Sequence, residues 1–366
     1  MTTDEPFGAA LATFRDWLGR VPDGGHTVVL CHFDADGLAA GALFGRGLPL
    51  LGLGRVTVVP SLRDESAFSE SARDRLRALT PDALVVTDLG VSGSGTLEAD
   101  GVPTLYVDHH RPSGTPADGL VVSGYDWEPV PCSAWLAYAL LEGDVPDVDE
   151  MRTLDWIAAV GVISDLGDRA PWPGLADAKR RHTAKALKEA TVLVNAARRG
   201  ATFRADEALA LLMETDGPRD LADAPGAAPL HAARAEVAEA MAEARKKAPV
   251  FSADQPFALV TVDSPCQIHP LIAQQWRTRL PKHAVVCANT GYLPGMVAFS
   301  TRTSRTDLVL PAIYQAIDTP GWNGKWGHGH DQASGGHLPP DVFDTVLDRL
   351  GFAPGAHVAG GRLGDG

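Results

Sequence analysis

Three apolar stretches of this sequence each run directly into carboxylates or imidazoles. They are residues 27–31, followed by His32, Asp34 and Asp36; residues 83–87, followed by Asp88; and residues 103–107, followed by Asp108, His109 and His110. Apolar runs of this length are typical of buried strands, and open α/β sheets bind ligands at the carboxyl ends of their strands. The pattern therefore predicts that these polar side chains meet at one edge of a sheet.

The order of the predicted elements in the first half indicates an α/β fold. The predicted strands are 27–31, 56–60, 83–87 and 103–107, and the predicted helices are 8–20, 38–44, 65–79, 132–142 and 149–161, the last running on towards Asp165. Strands that alternate with helices at this spacing predict a doubly wound, mostly parallel sheet.

The second half has a different organisation. Residues 178–247 are helical and rich in alanine, and a second α/β unit begins with a strand at 257–262. It continues with helices at 268–280, 308–317 and 340–350, strands at 284–288 and 295–300, and a Gly-, His- and Trp-rich stretch at 321–337. We therefore predict a doubly wound domain at 1–177, a helical connector at 178–250, a smaller α/β domain at 251–352 and a mobile tail at 353–366.

The acidic residues are concentrated in the first half of the chain. The net charge is −14, and residues 1–170 hold 11 Lys and Arg against 26 Asp and Glu. Such a half concentrates cations and argues against a broad, nonspecific nucleic-acid surface. A polyanionic substrate would therefore need metal ions and a local basic cluster to hold it.

The amino-terminal residues and the cysteines bear on cellular location. Residues 1–6 are acidic and lack the basic and apolar regions of a signal peptide, and no apolar run is long enough to span a bilayer. The cysteines are scattered and form no CxxC pair: Cys31, Cys132, Cys266 and Cys287. We predict a cytoplasmic protein with buried free thiols rather than disulfides or a structural zinc site.

The first cluster of polar residues suits a divalent metal ion. His32, Asp34 and Asp36 occupy alternate positions of an extended backbone, so their side chains point to one side. Two carboxylates and an imidazole this close repel and desolvate one another unless a cation joins them. Oxygen-rich ligands with imidazoles favour Mn²⁺, with Mg²⁺ second, over zinc. The ligands of all the strand ends together exceed the needs of one octahedral ion and predict two ions.

These segments resemble the four successive motifs of the DHH phosphoesterases. The motifs are the run from His32 to Gly37, Asp88, the triplet Asp108-His109-His110, and the run from Gly161 to Asp165. In the second half, the runs Ser300 to Arg302 and Gly335 to His337 resemble the Ser-x-Arg and Gly-Gly-His segments of the DHH-associated substrate-binding domain. The compact first motif is similar to that of RecJ-type exonucleases, although the chain is shorter than typical bacterial RecJ and lacks room for its oligonucleotide-binding barrel.

The resemblance implies roles for these residues in a DHH catalytic domain. One Mn²⁺ would bind His32, Asp34 and Asp88, and the other would bind Asp36, Asp88, His109 and Asp165, with Asp88 as the bridging carboxylate. Asp108 would orient His109, a support that imidazole ligands generally need. His110 would face the phosphate and stabilise charge in the transition state. Asp88, Asp108 and His110 are thus the predicted catalytic residues, and we interpret Asp168 as a helix or loop cap.

The resemblance also implies a phosphate-binding group in the smaller domain. Arg302 and His337, helped by the backbone amides of Gly335 and Gly336, are predicted to bind the substrate phosphate. Arg305 is a weaker candidate than Arg302 for contact with the substrate. Lys325, His328 and His330 come just before, and Trp322 and Trp326 either stack on a base or pack in the core. A third metal site at His328 and His330 is an alternative that we do not favour.

The predicted activity is Mn²⁺-dependent hydrolysis of single-stranded DNA or short oligonucleotides to nucleoside 5′-monophosphates, by attack of a hydroxide held between two ions. One alternative is a phosphoesterase acting on a small nucleotide, such as a cyclic dinucleotide or a bisphosphorylated nucleotide. Another is a noncatalytic nucleotide-binding subunit, against which the intact ligand set counts. The direction of digestion, the sugar type and the oligomeric state, including a homodimer, stay open.

Overall fold

The computed structural model describes residues 4–63, 65–322, 324 and 326–359, which form two compact units. The first unit comprises the residues up to Arg198 together with Phe203–Ala232. The second comprises Arg199–Thr202 and the residues from Ala233 onward. The domain boundaries drawn from the sequence stay a prediction.

A five-stranded parallel sheet forms the centre of the first unit. Its strands are β1 (His26–Cys31), β2 (Arg55–Pro60), β3 (Ala83–Thr87), β4 (Thr104–Asp108) and β5 (Leu120–Ser123), in the spatial order β2-β1-β3-β4-β5. The order reverses between β1 and β3, which is the point where doubly wound sheets bind their ligands. The predicted α/β class and parallel sheet are confirmed.

Helices cover both faces of this sheet. They are α1 (Asp4–Arg20), α2 (Ala35–Gly47), α3 (Glu70–Ala78), α4 (Ser133–Glu142), α5 (Val148–Arg152), α6 (Asp155–Asp165), α7 (Leu175–His182), α8 (Ala184–Arg199), α9 (Ala205–Glu214) and α10 (Pro218–Asp223). Successive residues of β1 pack into separate hydrophobic cores on the two faces of the sheet. Val29 belongs to one core and Val28 to the other. Burial on both faces explains why the strands are continuously apolar.

Helices α2, α4 and α6 pack closely against one another near the carboxyl ends of the strands. A methyl group added at Gly161 of α6 would lie 2.4 Å from Cβ of Ala134 on α4 and 3.1 Å from Cβ of Ala39 on α2. Small residues at this crossing let three helices that carry site residues approach one another. The sequence predicted a helix at 38–44, within α2, but not that α4 and α6 pack against it.

The second unit contains a mixed sheet of six strands. Helix α11 (Ala228–Ala244) passes into it from the first unit, and the strands are β6 (Val250–Phe251), β7 (Phe257–Val262), β8 (Ala284–Leu293), β9 (Met296–Thr303), β10 (His328–His330) and β11 (Ala333–Leu338). The spatial order is β10-β11-β9-β8-β7-β6, with β7 and β8 parallel and the other pairs antiparallel. Three further helices pack on it: α12 (His269–Arg279), α13 (Leu310–Gln315) and α14 (Pro340–Arg349).

Three details of the sequence-based elements were wrong. The stretch 321–337, for which no strand was predicted, contains β10 and most of β11, because the pairing of β10 with β11 and of β11 with β9 compensates for its many glycines. The helix predicted at 149–161 is divided into α5 and α6. Strand β5 was missed because it is only four residues long and only partly buried.

Several other predictions concern the termini and the thiols. The four cysteines are buried and free, as predicted. Within the predicted tail, Val358 and Ala359 donate backbone hydrogen bonds to the carboxylate of Asp344 at 2.7 and 2.9 Å, while the residues from 360 onward lie outside the described part. No helix among residues 4–359 that the structure describes is long and apolar enough to cross a membrane.

Candidate metal centre

The end of β1 places His32 and Asp34 side by side at the start of α2. Asp34 is the N-cap of this helix and accepts a hydrogen bond of 3.1 Å from the backbone N–H of Gly37. Its other oxygen lies 3.3 Å from Nδ1 of His32. A Cβ at position 37 would lie 2.5 Å from Cβ of His32, so the turn needs glycine there. Sequence and backbone together therefore aim both side chains at the sheet edge.

Asp88, directly after β3, has one oxygen towards each of two groups of ligands. Its Oδ2 lies 3.5 Å from Nδ1 of His32, and its Oδ1 lies 3.4 Å from Nε2 of His109. Its backbone has φ of +63°, a left-handed conformation that few residues other than glycine adopt and that is often found at functional sites. The carboxylate is buried and lies at the centre of the cluster.

In the triplet at the end of β4, Asp108 has a different partner from the one predicted. Asp108 accepts hydrogen bonds from the backbone N–H of His110 at 2.6 Å and from the backbone N–H of Gly90 at 2.7 Å, and its Oδ1 lies 3.0 Å from Nδ1 of His110. We expected Asp108 to orient His109, and the structure instead pairs it with His110. This pairing occupies Nδ1 of His110 and leaves Nε2 as the atom that can reach a substrate.

Asp36 is held by the amino terminus of α4. The backbone N–H groups of Ser133 and Ala134 donate to its two carboxylate oxygens at 2.8 and 3.0 Å. The hydroxyl of Ser133 also donates to Oδ1 of Asp88 at 2.9 Å. Helix amino termini stabilise negative charge through their free N–H groups and dipole. One turn of helix thus orients two carboxylates that come from different strand ends.

Helix α6 brings Asp165 to the opposite side of His109. Asp165 is the last residue of the helix, and its Oδ2 lies 3.8 Å from Nδ1 of His109. Its side chain is 36% exposed, whereas the side chain of Asp88 is 3% exposed. The cluster is therefore closed at its base and open on the side of Asp165.

The charges at His32 are strongly coupled to the neighbouring carboxylates. Burial alone would lower the pKa of His32, but Asp34 and Asp88 outweigh burial and raise the pKa to about 10. Burial would raise the pKa of Asp34, but the charge of His32 outweighs it and holds this pKa well below its usual range. Without a metal ion, the carboxylates thus need a protonated imidazole between them.

A similar balance exists on the other side of Asp88. Burial would lower the pKa of His109, but Asp88, Asp36 and Asp165 raise it to about 10. Burial and the charges of Asp88 and Asp165 hold the pKa of Asp36 well above its usual range. Bound protons therefore offset the negative charge of these carboxylates. A divalent cation would displace the protons and neutralise the same charge.

The donor atoms fit metal ions in three overlapping groups. Each group has three potential ligand atoms within 4.8 Å of one another: His32, Asp34 and Asp88; Asp36, His109 and Asp165; and Asp88, His109 and His110. The first two groups contain all six predicted metal ligands. Carboxylate oxygens with imidazole nitrogens are ligands that Mn²⁺ accepts, and Mg²⁺ prefers the oxygens. Asp168 is exposed and belongs to none of these groups.

The second unit places the predicted phosphate ligands on adjacent strands. Arg302 of β9 lies opposite Ala333 of β11, and its guanidinium donates to Ser300 Oγ at 3.1 Å and to the backbone carbonyl of Ser334 at 3.4 Å. The other three predicted ligands all lie on β11: Gly335, Gly336 and His337. His337 is exposed.

The other candidates of this unit have different surroundings. Arg305 donates to Asp307 at 3.0 Å, so this guanidinium is already paired. The ring of Trp326 packs against Tyr314 and Phe299 with centroids 5.6 and 6.2 Å apart, which supports the packing alternative for this tryptophan. Trp322 also packs against this core.

Two predictions remain for the stretch before β11. His328 and His330 are exposed, and within the described ranges they join no group of three metal-ligand atoms. Lys325 lies outside the described residues.

Comparison with known proteins decides the fold. No family model matches the chain. The structure of RecJ from Thermus thermophilus in complex with Mn²⁺ is similar over 94% of this chain and 54% of that chain, with a TM-score of 0.68 and 21% identity. The chain has the fold of RecJ and the DHH-domain proteins.

Two other DHH-fold structures match nearly their whole length. Exonuclease RecJ bound to manganese is covered over 93% of each chain with a TM-score of 0.62 and 21% identity. The DHH domain of a member of a ribosomal-protein family gives a TM-score of 0.72 at 13% identity, covering 94% of this chain and 91% of that one. At these identities the likeness concerns the fold.

One curated protein also matches in sequence. The single-stranded-DNA-specific exonuclease RecJ of Thermus thermophilus is 31% identical over 150 residues, which are 38% of this chain and 22% of that protein. The chain thus matches only about a fifth of the length of this relative. The resemblance to DHH proteins that the motifs predicted is confirmed by the structural neighbours.

Within this DHH fold, sequence reasoning missed the contribution of α4. Ser133 lies 97 positions after Asp36, and nothing in its local sequence points to a carboxylate so far away. Pro131, two residues earlier, does mark the start of a helix. It predicts that α4 begins there, but not that α4 binds carboxylates. The bond to Asp88 could only be found from the tertiary structure.

Proposed function

We propose that this protein is a metal-dependent phosphoesterase that hydrolyses phosphodiester bonds in single-stranded DNA or short oligonucleotides. The observation that carries the proposal is the position of Asp88, with one oxygen 3.5 Å from His32 and the other 3.4 Å from His109. A carboxylate between two groups of ligands is the arrangement that a two-metal hydrolase requires. The similarity to RecJ supports the same chemistry.

In this proposal Asp88 would hold both of two divalent cations. His32 and Asp34 would join it in holding one ion. Asp36, His109 and Asp165 would join it in holding the other. Mn²⁺ is the proposed ion, with Mg²⁺ as a second choice, since RecJ has been crystallised with either metal.

The residues of this chain supply the rest of the chemistry. When bound, the cations would lower the pKa of a water molecule and neutralise charge on the phosphate. Nε2 of His110 would donate a hydrogen bond to a phosphate oxygen, and Asp108 keeps this ring in place through Nδ1. The amino terminus of α4 keeps Asp36 and Asp88 oriented as ligands.

We propose that the second unit binds the substrate through Arg302, His337 and the backbone of Gly335 and Gly336. The guanidinium offers a planar pair of donors to a phosphate, and glycine lets the backbone approach closely. Neither glycine has a positive φ, and a Cβ at Gly335 would lie 2.5 Å from the carbonyl oxygen of Phe299, so the packing of the strands also requires glycine there.

The proposed products are nucleoside 5′-monophosphates. The excess of acid in residues 1–170 disfavours a long duplex, because duplex binding needs a basic surface of comparable extent. The curated relative is described as specific for single-stranded DNA, which agrees with this choice. The cytoplasmic location and a homodimer stay predictions.

The test is hydrolysis of end-labelled oligonucleotides of two to twenty residues with Mn²⁺, beside a cyclic dinucleotide and a bisphosphorylated nucleotide. We expect mononucleotides from the oligomers, and a rate more than about 100-fold lower for Asp88→Asn, since even indirect supports of metal ligands cost 10–100-fold. Asp168→Asn is the matched control, because Asp168 is an exposed acid three residues after Asp165. It should retain wild-type activity.

The outcomes distinguish the alternatives. Hydrolysis of only the cyclic or bisphosphorylated compound would move the substrate to small nucleotides and contradict the oligonucleotide proposal. Nucleotide binding without hydrolysis of any compound, unaffected by Asp88→Asn, would indicate a noncatalytic subunit.

A further inference from the structure

One face of the second sheet collects basic side chains, and only two of them, Arg302 and His337, have a role in the proposed function. Residues opposite each other in an antiparallel pair point to the same face, and successive residues alternate. On β11, Ala333 lies opposite both Arg302 and His330, and Gly335 lies opposite both Ser300 and His328. His337 lies two residues beyond Gly335 and therefore points the same way. We call the set of Arg302, His328, His330 and His337 the basic face.

The basic face is not a core surface. The alternate residues of β9 point to the other side, where Phe299 packs against Phe343 and Trp326. His328, His330 and His337 are exposed. Only Ala333 and Gly335 stand between them on β11, so no large side chain divides the face.

Helix α12 adds a second arginine to this side of the sheet. Its residues Ile272 and Ala273 pack in one core with Val285 of β8, and Val285 lies opposite Arg302. Helix α12 therefore covers the same side of the sheet as the basic face. It carries Arg277, whose Nε is buried and has no hydrogen-bond partner.

The two guanidiniums lack a compensating acid. Burial and the charge of Arg277 lower the pKa of Arg302. Neither arginine forms an ion pair with a carboxylate in the part of the chain that the structure describes. The sequences of β9, β10 and β11 contain no Asp or Glu, in a chain of net charge −14. Like charges on half-buried residues without a counter-ion are costly, so this surface is suited to an anion.

The basic face is larger than one phosphate group. Along β11, the position opposite Arg302 and the position of His337 are four residues apart, about 13 Å at the rise of a strand. The two histidines of β10 lie two strands away from Arg302, about 10 Å across the sheet. A single phosphate cannot contact groups this far apart, whereas a chain of phosphodiesters can.

We propose that the basic face and Arg277 bind the sugar–phosphate backbone of a single-stranded oligonucleotide beyond the phosphate that is cleaved. Arg277 and the histidines of β10 are the new residues of this subsite. Neutral or protonated imidazoles and guanidinium groups all donate hydrogen bonds to phosphate oxygens. The proposal rests on the proposed function, because it presupposes an oligonucleotide substrate.

The test measures binding of a fluorescein-labelled oligo-dT decamer to the full chain in EDTA, so that hydrolysis does not interfere. We expect the Kd to rise about tenfold for Arg277→Gln and for the double variant His328→Gln/His330→Gln, with a salt dependence weaker by about one unit of slope for Arg277→Gln. Arg277→Lys keeps the charge and should retain the slope. His231→Gln, at an exposed histidine of the first unit, is the matched control and should bind as wild type.

Circular dichroism shows whether each variant is folded, and His328→Gln/His330→Gln, at two exposed residues, keeps the test valid should Arg277→Gln unfold. Wild-type Kd and salt slope in folded Arg277→Gln and His328→Gln/His330→Gln would overturn the subsite, even if the protein hydrolyses oligonucleotides. Weaker binding by these variants without any hydrolysis in Mn²⁺ would support the subsite and contradict the proposed function. The two proposals can therefore fail separately.

Discussion

Gly161→Ala tests whether the close packing of α2, α4 and α6 positions the candidate metal centre. In an exposed helix, replacing glycine by alanine stabilises a protein by about 0.5–1 kcal/mol, because glycine loses more backbone entropy on folding. At Gly161 the added Cβ would lie 2.4 Å from Cβ of Ala134 and 2.8 Å from Oδ1 of Asp36. Cβ of Ala134 is fixed to its backbone, and Oδ1 of Asp36 is held by the backbone N–H of Ala134 at 3.0 Å, so the helices themselves must shift.

Overpacking of this kind costs about 1–3 kcal/mol, which exceeds the gain in helix propensity. We expect a net loss of about 1–2 kcal/mol, and a melting temperature lower by about 2–4 °C for each kcal/mol. Because the displaced oxygen belongs to Asp36 and the shifted helix carries Asp165, Mn²⁺ affinity should also fall, by about 10–100-fold. Calorimetric melting and isothermal titration with Mn²⁺ measure the two effects.

Gly8→Ala is the matched control. Gly8 lies in α1, is exposed, and has no atom within 4 Å of the position of an added Cβ. This variant should melt at the wild-type temperature or slightly above it and bind Mn²⁺ unchanged. If Gly161→Ala proved as stable as Gly8→Ala and bound Mn²⁺ like wild type, the reasoning from helix packing would be refuted.

Three further predictions follow from the same structure. Ser133→Ala removes the 2.9 Å hydrogen bond to Asp88 and should lower Mn²⁺ affinity and kcat/KM about tenfold, with Ser133→Thr restoring both; equal values for the two variants would contradict a positioning role. Mn²⁺ at 100 times its Kd should stabilise the first unit by about 2.7 kcal/mol in thermal melts, and Asp88→Asn should abolish this shift, whereas Asp168→Asn should keep it. The four buried thiols should react with a thiol reagent only after unfolding, and rapid labelling of the native protein would contradict their burial.

The grouping of the candidate site residues could be predicted because most of them are adjacent to strand ends. His32, Asp34 and the triplet from Asp108 to His110 follow apolar runs, and parallel strands bring such ends to a common edge. Asp165 could be placed at the end of a helix because the helical pattern of the preceding residues runs on towards it. The order β2-β1-β3-β4-β5, which sets β1 beside β3, was not readable from any one of these runs.

The contacts that these residues make could be seen only in the tertiary structure. Asp108 contacts His110 rather than His109, and Asp36 is held by a helix that starts 97 positions later. The short strand β10, His-Gly-His, forms because the neighbouring strand β11 supplies hydrogen bonds, not because its own residues favour extended backbone.

The sequence by itself determined the apolar runs, the ligand types and their spacing, since these depend on residues that are neighbours in the chain. Only the tertiary structure decided which oxygen of Asp88 faces which imidazole, and that Arg302 shares a sheet face with His328 and His330. The physical reason is that local periodicity sets the direction of a side chain relative to its own backbone. Its distance to a residue a hundred positions away depends on how helices and strands pack.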